Sequence, residues 1–185
     1  MNQNHPFVRS KLKDWIRDTV QTYNLDGIRV DTVPQVPKDF WTEYSQSAGV
    51  YSIGEVFNDK QCYVASYQGA LSALFNYPMF YKLKNIFLWR QSMYQIRTGL
   101  EENKRSFRDT SILGNFLDNH DNDRFLSINH DWTMLKNGLA YVIFAEVSLS
   151  YYKLSLFYLI HFFVIRHVGH TLYLLWDGTN LQWRP

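Results

Sequence analysis

The chain has 185 residues and a formal net charge of +2, with 46% hydrophobic and 19% charged residues. That is room for one ordinary domain with a packed core, and it is small for a complete enzyme barrel. No dense Lys/Arg patch is present, so nucleic-acid binding is not supported. The single cysteine, Cys62, rules out an internal disulfide. The polar start Met1 to Pro6, followed by Lys11, Lys13 and Asp14, does not read as a secretory signal.

The chain then alternates between two periodicities. Pro6 suits a first helical turn, and Leu12, Trp15, Ile16, Thr19, Val20 and Tyr23 recur at helical spacing. Asn24 to Gly27 ends that helix, and residues 28–33 follow as a β-branched strand that Pro34 and Pro37 keep from continuing. Residues 38–48 predict a second helix, stopped by Gly49. Strands are expected at 50–56, at 74–77 (ended by Pro78) and at 113–117, with helices at 91–104 and 133–145. Strands separated by helical segments imply βα units and a parallel sheet.

Asp31, Glu55 and Asp121 each fall at the C-terminal end of an expected strand. In a parallel βα barrel those ends converge on the active-site face. One such carboxylate alone reads as a cap or turn residue. Three at the same register suggest a site. Glycoside hydrolysis with retention uses a nucleophilic carboxylate and an acid/base carboxyl about 5–5.5 Å apart. The acid must hold its proton near neutral pH, and a further carboxylate can stabilise the cationic transition state.

At these residues the sequence resembles the α-amylase family of glycoside hydrolases, in its fungal form, over about residues 5–146. Residues 26–33, Asp-Gly-Ile-Arg-Val-Asp-Thr-Val, resemble the family's nucleophile strand. By that match Asp31 is the nucleophile and Arg29 orients it. Gly54-Glu55-Val56-Phe57 resembles the acid/base strand, with Glu55 as proton donor. Residues 116–121, Phe-Leu-Asp-Asn-His-Asp, resemble the strand of the third carboxylate. There Asp121 would stabilise the transition state, His120 would donate to a sugar hydroxyl, and Arg124 would lie near substrate. Lys38-Asp39-Phe40-Trp41 and Asn76-Tyr77-Pro78 match as well. The resemblance implies an α/β fold, a partial (β/α)8 TIM barrel of about the fourth to seventh strands with their helices. It also implies an α-glucan polysaccharide or oligosaccharide substrate cut at internal α-1,4 bonds, and an extracellular parent whose signal would lie upstream of Met1.

Departures qualify this. Pro34-Gln35 stands where the family usually has Lys-His, so the side chains that grip sugar beyond the cleavage point are missing. A structural calcium, which the family implies, could still take the carbonyl of Gln35. The positions of a disulfide common in fungal relatives align with Ala65 and Phe107. His5, His130, His161, His167 and His170 form no metal-ligand cluster. With the first three strands absent, the isolated chain is expected to be inactive and to fold poorly, because two sheet edges would stay unpaired.

Residues 1–146 thus read as a partial catalytic barrel and 147–185 as an apolar and irregular tail. The tail departs from the family's eighth strand. Codons for residues 146–148 can form an intron start. Suitable codons after Val168 read, in a shifted frame, as Gly-Ile-Pro-Tyr-Ile-Tyr-Tyr-Gly. The expectation is a retained intron followed by a frameshift. The rival reading of residues 149–165 as a membrane span is weakened by Lys153, His161 and several Ser and Tyr residues. Other functional readings are an α-glucosidase or glucan transferase of the same family, an inactive glucan-binding fragment, and a membrane-anchored interaction protein.

Overall fold

A computed structural model describes residues 2–145 in full and, beyond them, only the backbone of 164–165, 173–176 and 181–184. In chain order the elements are α1 (Pro6–Tyr23), β1 (Gly27–Val30), α2 (Lys38–Ala48), β2 (Tyr51–Gly54), α3 (Gln61–Ala65), β3 (Ala73–Leu74) and α4 (Tyr77–Phe87). There follow α5 (Tyr94–Ser106), α6 (Phe125–Ile128), α7 (Trp132–Phe144), β4 (Val164–Ile165), β5 (Tyr173–Trp176) and β6 (Leu181–Arg184). They form two compact units. The first comprises Met1–Val56, Tyr67–Leu74 and Leu156–Pro185; the second comprises Phe57–Ser66 and Phe75–Ser155.

In the first unit α1 ends where expected, with Asn24 in the left-handed conformation at φ 48°, and α2 ends on Gly49 at φ 67°. Asparagine and glycine are the residues that adopt this geometry most readily. A four-stranded parallel sheet runs β3-β2-β1-β4. Ile28, Arg29 and Val30 are all buried, as are Ser52, Ile53 and Gly54. Strands covered on both faces lose the polar/apolar alternation of a half-exposed sheet. Helices α1 and α2 are joined by Arg9 to Asp39 and Glu43 and by Lys13 to Glu43, each at 2.9 Å. The Ser45 and Ser52 hydroxyls lie 2.6 Å apart, and those of Ser52 and Ser72 3.2 Å apart. This hydroxyl chain links α2, β2 and the segment before β3.

The second unit is built around α4. Met79, Leu83, Ile86 and Phe87 pack with Leu117 and Phe125, and Met134 and Leu135 of α7 lie against them. Phe80 stacks on Phe116 at 4.6 Å between ring centroids.

Three expectations are corrected here. The strand expected at 74–77 is shorter: β3 ends at Leu74, and Tyr77 already begins α4. Pro78 does not stop a strand; it occupies the first turn of a helix, where its missing N–H costs nothing. The side chain of Asn76 caps that helix by accepting from Met79 N–H. Residues 113–117 form no strand; their sheet-like pairing is a single parallel bridge, Phe75 to Gly114. The short helices α3 and α6 were not expected.

The 147–185 tail lies outside the described residues, apart from the backbone of β4 and of the antiparallel pair β5–β6. The membrane reading of 149–165 falls almost entirely there. Among the described residues no helix is long and apolar enough to cross a membrane.

Candidate active site

Strand register brings the first two carboxylates together. Val30 pairs with Gly54 in the β1–β2 ladder, so Asp31 and Glu55 are the next residues along adjacent strands, which lie about 4.8 Å apart. Side chains alternate between faces along a strand, so Arg29 and Asp31 share one face. The ladder continues past the strand ends, with Glu55 N–H donating to Val30 O at 2.8 Å and Val33 N–H donating to Glu55 O at 3.1 Å.

All three side chains are buried, with Arg29 8%, Asp31 6% and Glu55 5% exposed. Arg29 Nη1 donates to Asp31 Oδ1 at 2.7 Å, and its Nη2 lies 3.7 Å from Glu55 Oε2. One buried guanidinium therefore faces two carboxyl groups. Burial raises the Glu55 carboxyl above its ordinary value, and the hydrogen-bonded Asp31 carboxyl adds to the rise. The Thr32 N–H and Arg29 act against it. A carboxyl with raised proton affinity beside one bound by Arg29 is the asymmetry that an acid and a nucleophile require.

Sequence reasoning missed Thr32. It adopts φ 48° and ψ 42°, a left-handed conformation costing a β-branched residue about 1–3 kcal/mol. Its N–H donates to Glu55 Oε2 at 3.0 Å. Threonine favours strands, so no local signal marks this turn. The turn leads into a 3-10 segment, Val33–Gln35, whose Val33 carbonyl accepts from the indole N–H of Trp41 at 2.8 Å.

Gln35 is exposed on that segment. It offers a calcium one carbonyl, and among the described residues no three His, Cys, Asp or Glu side chains gather to hold a metal ion.

In the second unit the Asp118–Arg124 turn is shaped by its own side chains. Asp118 Oδ1 accepts from Asn119 N–H at 3.1 Å, and its Oδ2 accepts from Phe125 N–H at 3.3 Å. Asn119 Oδ1 accepts from Asn122 N–H at 3.0 Å, and Asn119 Nδ2 donates to the Tyr77 hydroxyl at 3.1 Å. The side chains of His120 and Asp121 are 50% and 30% exposed, and His120 Nε2 lies 3.3 Å from Asp121 Oδ2. Arg124 is exposed, 3.8 Å from Asp118 Oδ2.

Residues 1–151 match the alpha-amylase catalytic domain profile. The chain is 35% identical over 147 residues to alpha-amylase 1 of Lipomyces kononenkoae, covering 78% of this chain and 24% of that protein. It is 33% identical over 147 residues to the alpha-amylase of Saccharomycopsis fibuligera, covering 78% and 30%. The solved structure of an alpha-amylase from Malbranchea cinnamomea superposes with a TM-score of 0.74 at 33% identity, covering 77% of this chain and 31% of that one. The chain thus spans less than a third of the length of these relatives.

Proposed function

The chain belongs to the alpha-amylase family of glycoside hydrolases, and from that premise we propose that it supplies the nucleophile and the acid/base of a retaining hydrolase of α-1,4-glucosidic bonds. The observation that carries this is the buried trio: Arg29 bound to Asp31 at 2.7 Å, beside a Glu55 carboxyl raised by burial.

Asp31 attacks the anomeric carbon while Glu55 gives its proton to the departing glycosidic oxygen. The C–O bond breaks and a glycosyl ester forms on Asp31. Glu55, now a carboxylate, takes a proton from water. That water attacks the same carbon and releases the sugar and the Asp31 carboxylate. Two inversions give net retention. Arg29, donating to Asp31 Oδ1 at 2.7 Å, orients it for both steps. Asp121 acts as the third carboxylate, stabilising developing positive charge, with His120 and Arg124 as sugar contacts.

In the family barrel these residues occupy about the fourth to seventh strands. Grafting residues 1–146 into a full-length relative in place of the matching stretch tests the assignment. The graft should hydrolyse soluble starch and release the α-anomer first. A 5-fluoroglycosyl fluoride should label the peptide containing Asp31. A β-anomeric first product, or label on another carboxylate, overturns it. Pro34 and Gln35 in place of a Lys-His pair favour a second reading, glucosidase or transferase specificity, which product analysis of the graft resolves. For 147–185 we propose a retained intron and shifted frame, supported by the change of composition after Glu146; genomic codons incompatible with splice sites there would sink it.

A further inference from the structure

In the second unit residues 113–117 carry the chain toward His120 and Asp121 without a strand, their sheet-like pairing being the Phe75–Gly114 bridge. A ladder would fix such a segment residue by residue. Side chains at the start of α4 take over that task. Asn76 N–H donates to Gly114 O at 2.9 Å, and Asn76 Nδ2 donates to Asn115 Oδ1 at 2.8 Å. Next along the chain, the Tyr77 hydroxyl accepts from Asn119 Nδ2 at 3.1 Å. Tyr77 is 2% exposed, and its ring makes edge contacts with Phe57, Phe116 and Phe80 at 4.8, 4.9 and 5.8 Å between centroids. A ring packed in this way makes its hydroxyl a fixed point.

The Asn119 amide spans from that point to the turn. Its Nδ2 faces Tyr77, while its Oδ1 accepts from Asn122 N–H at 3.0 Å and from Asn122 Nδ2 at 2.8 Å. His120 and Asp121 are the residues enclosed between Asn119 and Asn122. Turned over, the amide would set its NH2 against the Asn122 N–H, donor against donor. The oxygen therefore stays with the turn and the nitrogen with Tyr77, and one planar group ties the turn to α4. We propose that Tyr77 is a positioning residue for Asp121: its hydroxyl, acting through Asn119, holds the turn that carries His120 and Asp121 where the Asp121 carboxylate meets developing positive charge. The inference rests on the transition-state role proposed for Asp121. A phenylalanine at position 77 keeps the buried ring and removes the hydroxyl, so the Asn119 amide loses one of its anchors. Small displacements of a group that acts in the transition state lower the rate more than they lower binding. The loss should be felt only while the Asp121 carboxylate is there to be placed.

The test is a double-mutant cycle in the starch-hydrolysing graft. Tyr77→Phe should lower kcat about three- to tenfold and leave KM within about twofold, since one hydrogen bond is removed and the group it places acts in the transition state. In an Asp121→Asn background the same change should lower kcat by less than about twofold, while its effect on urea unfolding is the same in both backgrounds. A merely structural role would lower kcat equally with and without the carboxylate, and that result overturns the inference. Where Asp121→Asn leaves no measurable rate, amide hydrogen exchange of the full 185-residue chain decides without turnover. The Asn122 and Phe125 N–H groups, which bond within the turn, should exchange about tenfold faster in Tyr77→Phe, with Leu83 in α4 unchanged. Equal exchange in the two chains overturns the inference. A graft that forms a β-anomer refutes the proposed function. An equal kcat loss in both backgrounds, with α-anomer release and the Asp31 label intact, refutes only the placing of Asp121 by Tyr77.

Discussion

In the first unit Asp31 and Glu55 sit at the ends of paired strands and are 6% and 5% exposed. In the second unit Asp121 lies in a turn, its side chain 30% exposed, with the 50% exposed His120 imidazole 3.3 Å away. The first arrangement is fixed by a ladder of backbone bonds; the second is fixed by Asp118 and Asn119 bonding the chain around it. A ladder sets two residues side by side to within the tolerance of a sheet, and burial then makes their charges interact strongly. A turn leaves a carboxylate in reach of water, where an ion pair contributes little to stability.

The largest expected effect separates chemistry from scaffold. In the graft, Asp31→Asn should lower the starch-hydrolysis rate about 10⁴-fold or more; a loss below about tenfold would remove the first unit from the chemistry. Next, Arg29→Met should cost about 3–5 kcal/mol in urea unfolding, because it strands two buried carboxyls. The matching Arg124→Met should change stability by no more than about 0.5 kcal/mol, its ion pair being exposed. Equal losses would erase the contrast between the units.

Smaller still is Asp131→Ala. It removes the cap that accepts from Thr133 and Met134 N–H at 2.9 and 3.2 Å and starts α7, for about 1 kcal/mol by thermal melting. The smallest is a pH effect with two signs. Arg9 and Lys13 lower Glu43 to about 2 from 4.5, so its contribution is present above 4.5 and fades as pH falls toward about 2. Glu55 is raised, so its contribution is present below 4.5 and is lost as pH rises through its folded value. Stability measured against pH in Glu43→Gln and Glu55→Gln should therefore flatten on opposite sides of 4.5.

The sequence made the helices legible where apolar spacing and stop residues agreed: α1 ending on Asn24 and α2 on Gly49 are where periodicity put them. It made Asp31 and Glu55 legible as strand-end residues because β-branched runs preceded them. It misled at Pro78, since proline ends a strand and opens a helix equally well, and the preceding Asn76 cap was the cue that separates the two. It overstated 113–117, whose apolar residues fill the core of the second unit without entering a sheet. Thr32 was invisible because its conformation is imposed by bonds to a residue 23 positions away, which no local preference encodes.

Gly54 immediately precedes the acid/base residue, and a methyl group added there would press on Leu71, Val33 and Leu74, all buried. Every codon change that alters glycine adds at least that carbon. Overpacking of this kind costs about 1–3 kcal/mol against a total stability of about 5–15. The position is therefore expected to drift only silently, and it makes the glycine–glutamate pair, more than the glutamate alone, the heritable mark of this strand.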